Sequence, residues 1–372
     1  FMRKPEPGDT KVSRLAPSDA EQLCATAICR KVPREEAESR PTEALSAPFT
    51  VVQDKEAADG EIKKERRFIL WTHLHNTTVA RNGYEPDLAD LKHISYFLPD
   101  VHAESAVLRD LELSFYQIEI PDAARPRFRF HDTDGNLYEM CRLPMGHTGS
   151  PELMQIATSV LSGDPRYCLK QFTAPKAASR RVWIDGIRVC TNHAQTKTQE
   201  EHLDRAAGAC HATWKSADSR TARKYDFLGV TWDHDAKTVT LASKNKARIA
   251  QPQGPMTFGA IEKLMGRLVF AAGVLCLPLA RYYFAMKWWR RQINHFNRGD
   301  IRYDDNVDVP PAVRVQLTQW CQEAHGTYSV PAQPHDERKS TLFVDASLQG
   351  WGAVLVTHRQ QLFCVGERWD AH

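Results

Sequence analysis

The chain has 372 residues, 42% of them hydrophobic and 26% charged, with a formal net charge of +3. That length allows two or three domains, each with a core of its own, and the mild basic excess permits contact with nucleic acid without requiring it. Nine cysteines, an odd number without framework spacing, argue against a disulfide scaffold, and the longest apolar run, 268–280, holds Pro278 and falls short of the roughly 20 residues that span a bilayer.

Residues 1–48 are rich in Pro, Glu, Arg and Lys and poor in large apolar side chains. They predict an extended N-terminal arm with one short helix over 18–30, capped by Ser18 with Glu21 at its third position. Such an arm orders on a partner or stays mobile. Strands are predicted over 49–52 and 68–71. Lys63, Lys64, Arg66 and Arg67 precede the second strand, either as a solvated run or as an edge that faces phosphate. Cys24 and Cys29 stand five apart, and Cys190, His193, Cys210 and His211 are scattered, so four converging zinc ligands are not expected. Next, apolar residues lead into a lone Asp110, and Phe115-Tyr116 follow five residues later. Residues 126–143 alternate as a hairpin turning at 132–136. Leu143-Pro144-Met145-Gly146 then leads to Ser150-Pro151, which opens a helix with Pro at its first position and an apolar stripe of Leu153, Ile156, Val160 and Leu161.

In 180–189 two short β-rich runs flank Asp185-Gly186. That dipeptide suits a type I′ turn, whose two central residues both need positive φ. Read alone, it is a turn and nothing more. A helix is predicted over 198–212, strands within 225–241 with a turn near 234–237, and a linker at 251–256. Residues 257–297 read as helix broken at Pro278. There Arg281, Lys287, Arg290 and Arg291 alternate with Tyr282, Tyr283, Trp288 and Trp289. Core packing with snorkelling arginines is the favoured reading, and a grip on nucleic acid is the other. Residues 300–339 are polar around one helix at 312–324. Strands follow over 341–347, 350–356 and 362–365.

Taken together, these motifs resemble the palm of a reverse transcriptase, over roughly 49–300 and again from 340. Asp110 with Phe115-Tyr116-Gln117-Ile118 resembles that family's first catalytic motif. Leu143-Pro144-Met145-Gly146 through Ser150-Pro151 and Gln155 resembles the second. Trp183-Ile184-Asp185-Gly186 stands where the family has aromatic-x-Asp-Asp at a hairpin tip, and Phe227-Leu228-Gly229 resembles the primer grip. Phe343-Val344-Asp345-Ala346-Ser347 with Gly350-Trp351-Gly352 is similar to the opening of a retroelement RNase H. Arg66-Arg67, the Trp-rich helix and Glu367-Arg368-Trp369-Asp370-Ala371-His372 resemble the tyrosine-recombinase, DIRS-like class of retrotransposons, with trypanosomatid VIPER-like elements the nearest and a domesticated copy as one origin.

The resemblance implies an α/β right-hand polymerase fold: an N-terminal arm at 1–48, fingers and palm at 49–243, a helical thumb at 244–300, a connection at 301–339 and the N-terminal part of an RNase H-like domain at 340–372. It also implies two Mg²⁺ or Mn²⁺ ions on Asp110 and Asp185, about 3.5–4 Å apart, because nucleotidyl transfer clamps the attacking and leaving oxygens between hard cations. Phe115 would exclude a ribose 2′-hydroxyl. Gly146 would let backbone approach the templating pair, with Gln155 lining that surface. Arg66 and Arg67 would hold the triphosphate, and Lys215 is a weaker candidate near the leaving group. Phe227, Leu228 and Gly229 would hold the primer.

Two departures set the functional expectation. Gly186 replaces the second hairpin aspartate, and only Asp345 sits in an RNase H motif, so cleavage of RNA is not expected. The leading reading is a reverse-transcriptase-like protein of retroelement origin that binds RNA or an RNA/DNA template-primer, with polymerisation lost or impaired and no metal required if it is lost. The alternative is an active RNA-directed DNA polymerase on Asp110 and Asp185. A third is a scaffold that meets protein partners through 1–48. A reducing intracellular compartment is expected, the nucleus before the mitochondrion, with no signal peptide and no membrane association.

Overall fold

The computed structural model describes residues 12–56, 62–88, 91–176, 178–216, 219–252, 254–332, 341–347, 349–357 and 361–368. Residues 1–11 of the expected arm, 333–339 of the expected connection, and 340 and Trp369-Asp370-Ala371-His372 of the expected RNase H-like part lie outside them. The chain divides into two compact units, Phe1–Val330 and Pro331–His372. No helix among the described residues is long and apolar enough to cross a membrane.

The first unit is built around a four-stranded antiparallel sheet in the order Arg220–Ala222, Ser105–Asp110, Gly186–Thr191, Ser179–Trp183. Side chains alternate between the faces of a strand. Val107, Ile187 and Val189 point to one face, where Met154, Leu161 and Leu203 from helices Ser150–Ser162 and His193–Ala209 cover them. Ala106, Leu108 and Cys190 point to the other, into a cluster with Trp232, Val239 and the helix Phe258–Leu275. Both faces are therefore covered, which is why 187–191 are all buried. The Ser150 helix starts with proline in its first turn and ends on Gly163 in the left-handed region at φ 75°.

A second antiparallel sheet runs Lys224–Phe227, Val230–Asp233, Thr238–Leu241, Thr327–Ser329. Its first hairpin turns at Leu228-Gly229, both with positive φ, 53° and 75°. This is the type I′ backbone pattern that the sequence led us to expect at Asp185-Gly186. The helical segment after the linker breaks as the sequence implies. Phe258–Leu275 stops at Cys276, Leu279–Tyr282 forms a 3₁₀ turn after Pro278, and Tyr283–Asn297 resumes. Tyr282 stacks on Trp320 of helix Pro311–Glu323, with ring centres 4.2 Å apart.

The N-terminal segment corrects the sequence reading. From Val12 on it is not an extended arm. Val12–Arg14 pairs with Ala47–Glu56, which pairs with Ile62–Trp71. The expected helix over 18–30 is shorter, Pro17–Ala25, and Cys29–Lys31 is a strand against Leu137–Met140. Leu15, Leu23, Ile28 and Cys29 are buried with Phe68, Tyr116 and Phe130. Each fully buried Leu or Ile contributes roughly 1.5–3 kcal/mol, enough to hold a segment of modest hydrophobicity. The charges that suggested solvation are spent internally: Arg30 bonds Glu139 at 2.6 Å and also pairs with Glu36, while Arg129 meets Glu139 at 3.0 Å with both side chains fully buried.

The second unit contains three antiparallel strands, Thr341–Ala346, Gly350–Val356 and Leu362–Arg368, in that order. Leu342, Phe343, Val344, Leu362, Phe363 and Val365 are exposed, and Ala353 is its one buried hydrophobic residue among those described.

Candidate active site

Two antiparallel pairings bring the first two aspartates together. Asp110 ends its strand directly opposite Gly186. Gly186 also pairs with Trp183 across the hairpin, so Ile184 and Asp185 are the turn residues. The expected turn is thus displaced by one position. Ile184 carries the positive φ, 54°. A β-branched residue there is a backbone outlier that costs on the order of 1–3 kcal/mol.

The surroundings hold this strained turn. The Ile184 N–H donates to Gln155 Oε1 at 2.7 Å, and Gln155 Nε2 donates to the Val182 carbonyl at 3.2 Å. On the other side the Leu111 N–H donates to the Asp185 carbonyl at 3.1 Å. Ser114 Oγ donates to Asp185 Oδ2, also at 3.1 Å. The carboxylate of Asp185 is aimed by a hydroxyl that the sequence reading did not single out.

Gly186 is not demanded by space or by backbone. Its φ lies outside the left-handed region. A Cβ there would sit 3.7 Å from the Trp183 carbonyl oxygen, 3.8 Å from Asp110 Oδ1 and 3.8 Å from Phe227 Cε2, all ordinary contacts. A side chain can therefore start at this position without displacing its neighbours. Lys215 is closer to the centre than the sequence suggested: its Nζ is 3.5 Å from Asp110 Oδ2, and its N–H donates to the Asp110 carbonyl at 2.8 Å. A cavity of about 260 Å³ opens here, shared by Asp110, Asp185, Gly186, Arg220, Asp226 and Phe227. Among the described residues no three His, Cys, Asp or Glu side chains converge closely enough to share a metal ion, so Asp226 does not replace the missing carboxylate.

Beneath the hairpin lies a charge the sequence reading passed over. Arg188 is fully buried, with Nη2 2.6 Å from Asp100 Oδ2 and its guanidinium 4.0 Å from the Trp232 ring centre and 4.9 Å from that of Phe227. Arg181 shares the same carboxylate at 2.9 Å. Burial pushes the neighbouring Cys190 thiol and Tyr225 phenol upward. An arginine in an otherwise apolar strand was the available signal; its partner Asp100, far away in sequence, carried none.

Of the expected triphosphate ligands, Arg66 is corrected. It is buried and bidentate to Asp19, at 2.7 and 2.9 Å, and also bonds Thr50 Oγ1 at 2.9 Å. Adjacent strand residues face opposite ways, so Arg67 is the exposed one, within 3.8 Å of Glu65. Gly146 has φ 115°, and a Cβ there would stand 2.5 Å from the Leu70 carbonyl oxygen. On one side it packs closely against strand Ile62–Trp71, and it is exposed on the other. Gln155, 4% exposed, clamps the hairpin instead of lining a templating surface. Phe115 is half-buried beside Leu111 and Met154. Phe227 and Leu228 both line the active-site cavity, and Leu228 and Gly229 form the turn of their hairpin. Asp345, in the second unit, faces Gly352 and shares a separate cavity with Glu367.

Carboxylate oxygens are the donors Mg²⁺ and Mn²⁺ favour. Asp110 and Asp185 supply two such donors at the cavity, residue 186 supplies none, and Lys215 stands against Asp110.

No protein-family model matches the chain, and no curated protein matches it in sequence. Solved structures do match. A foamy viral protease-reverse transcriptase (the form designated dRH), in complex with double-stranded DNA, superposes with a TM-score of 0.61 at 15% identity, over 98% of this chain and 57% of that one. A second foamy viral protease-reverse transcriptase complex with double-stranded DNA gives 0.56 at 14%, over 99% and 69%. The complex of the foamy viral protein with an RNA/DNA hybrid gives 0.61 at 13%, over 99% and 45%. This chain spans about half to two thirds of those proteins, and what it shares with them is the architecture: the fold is reverse-transcriptase-like.

Proposed function

We propose that this is a reverse-transcriptase-like protein of retroelement origin that binds RNA or an RNA/DNA template-primer and polymerises deoxynucleotides poorly. Gly186 carries the proposal. It occupies a place opposite Asp110 where a side chain can start, and it supplies no carboxylate. Two aspartates and one divalent ion, Mg²⁺ or Mn²⁺, remain to stabilise charge on the transferring phosphate.

Two observations support nucleic-acid binding. The similar structures carry double-stranded DNA or an RNA/DNA hybrid. In this chain, the helix Tyr283–Asn297 buries Trp288 and keeps Trp289 half-buried, but exposes Tyr283, Phe284, Lys287, Arg290 and Arg291. The two readings of this Trp-rich stretch therefore divide by residue, and cations beside exposed rings suit a strand with phosphates and bases. A protein-docking role for 1–48 is not part of the proposal, since Leu15, Leu23, Ile28 and Cys29 are spent internally. The tyrosine-recombinase class, the kinship to trypanosomatid elements, domestication and a nuclear location remain proposals that rest on the sequence motifs. Cleavage of RNA is not proposed.

One observation favours the second reading, an active RNA-directed DNA polymerase on Asp110 and Asp185. The strained Ile184 donates its N–H to Gln155, which also donates to the Val182 carbonyl and so holds the turn. Strain of that kind persists where it presents a functional side chain.

Equilibrium binding of a labelled RNA/DNA hybrid, followed against salt, tests the binding half. Affinity should fall linearly in log–log form, and the pair Lys287→Ala and Arg291→Ala should each lower the slope by about 1. Absent or salt-insensitive binding contradicts it.

A further inference from the structure

The charges at the centre do not match the pattern the motifs resemble. A pair of dications needs anionic ligands between and around them, because two such ions 3.5–4 Å apart repel strongly. Here residue 186 contributes no charge, and one of the two remaining carboxylates already meets a cation of the chain itself.

The position of Lys215 is built into the backbone. Its N–H donates to the Asp110 carbonyl at 2.8 Å. Leu111 and Trp214 form an antiparallel bridge, and the Glu112 N–H donates to the Thr213 carbonyl at 3.0 Å. Gln117 closes the same junction twice, accepting from the Thr213 N–H at 2.8 Å and donating to the Thr213 carbonyl at 3.0 Å. Residues 213–215 are thereby sewn to 110–117, and the root of the lysine is fixed beside the aspartate. From there Nζ reaches Asp110 Oδ2 at 3.5 Å, with both side chains about a third exposed. The other oxygen, Oδ1, faces the gap at residue 186, 3.8 Å from where a Cβ would be.

We propose that the Lys215 ammonium takes the place of one divalent ion, so that the centre carries one metal ion on Asp110 and Asp185 beside one tethered cation. This rests on the reading of the site as a reverse-transcriptase-like centre. The electrostatics agree: two carboxylates balance one dication, and an ammonium adds one further charge where a second dication would add two. A lysine suits the role because its ammonium is a compact point charge with three donors, able to contact a carboxylate and a phosphate oxygen together. Unlike an ion, it cannot be lost by dilution.

The test counts Mn²⁺ bound to the full chain, without nucleic acid, from the electron paramagnetic resonance signal of the free ion. The unaltered chain should bind one Mn²⁺ that Asp110→Asn or Asp185→Asn abolishes. Lys215→Met should still bind one, at least five-fold more tightly, because a competitor for Asp110 is gone. Lys215→Arg should match the unaltered chain, which separates charge from any loss of folding. Gly186→Asp should still bind one, and Gly186→Asp combined with Lys215→Met should bind two. Arg220 borders the same cavity, so Arg220→Met reports the effect of removing a nearby charge that does not touch Asp110, and its shift should be smaller than that of Lys215→Met. Two ions on the unaltered chain, an unchanged affinity in Lys215→Met, or an equal shift in Arg220→Met would each overturn the proposal while leaving the site reading intact. If no Mn²⁺ responds to Asp110→Asn or Asp185→Asn, the site reading itself fails, and this inference with it.

Discussion

Arg66 and Arg67 are neighbours in sequence and opposites in structure. The sequence reading began their strand at 68 and so left both arginines free to face a phosphate. The strand begins earlier, at Ile62, and its alternation sends Arg66 inward to Asp19. Removing one partner of a fully buried pair leaves an uncompensated charge, so Asp19→Asn should cost about 3–5 kcal/mol in a urea unfolding measurement. An unchanged midpoint would mean that Arg66 is not committed to that pair. Gln155 is a similar case: its amide carries no signal of the hairpin 29 residues away that it clamps. Gln155→Leu keeps the volume and strands the Ile184 N–H and the Val182 carbonyl, a loss of about 1–3 kcal/mol. Asp110 and Asp185 stood out only through the order of the surrounding motifs, because an aspartate at a turn, read alone, has an ordinary structural use. The role of Ser114 was not legible, because a serine near an aspartate is commonplace.

At the scale of elements, the sequence located the hairpin within 180–189 and the turn near 234–237, but it missed the hairpin at Leu228-Gly229 and assigned the type I′ turn to Asp185-Gly186. Asp-Gly is the stronger local signal, yet Leu228-Gly229 takes both positive φ values, while Gln155 and the Trp183–Gly186 pairing fix Ile184-Asp185 as the other turn. Local preference lost to a contact distant in sequence. The glycines follow from this geometry. At Gly146 a Cβ would press on backbone, the Leu70 carbonyl, whereas at Gly229 it would meet side chains, Asn245 and, at 3.9 Å, Phe270. Gly146→Ala should therefore destabilise by about 2–4 kcal/mol and Gly229→Ala by about 1 kcal/mol. The reverse order would contradict the placement of the 143–149 loop against strand Ile62–Trp71.

For the molecule as a whole, the four-stranded sheet and the helices after the linker were readable because their apolar periods are regular. The N-terminal segment was not, because its polar composition conceals charges that pair with one another inside the fold. Histidines give the whole unit a pH dependence. Burial is the main cause that holds His75, His147, His202 and His234 below their ordinary value of 6.5, with His147 down to about 4 beside the stacked ring of His75. As the pH falls below 6.5 the unfolded chain takes up protons that the folded chain refuses. Stability should then decline towards pH 4, by at most about 1.4 kcal/mol per pH unit for each ring. Urea midpoints at pH 7, 6 and 5 should fall in that order, and His147→Phe should flatten the decline. Midpoints independent of pH would show that the rings protonate freely in the folded state.

The most direct measurement of the central claim is primer extension on an RNA template with deoxynucleotides, in Mg²⁺ and separately in Mn²⁺. If Gly186 is what weakens this centre, Gly186→Asp should extend on the order of 100-fold faster than the unaltered chain, the scale at which one preorganised electrostatic contact acts on a transition state, and Asp110→Asn should not extend at all. If the unaltered chain extends as fast as Gly186→Asp, the missing carboxylate does not limit catalysis, and the protein is a polymerase that works with two aspartates.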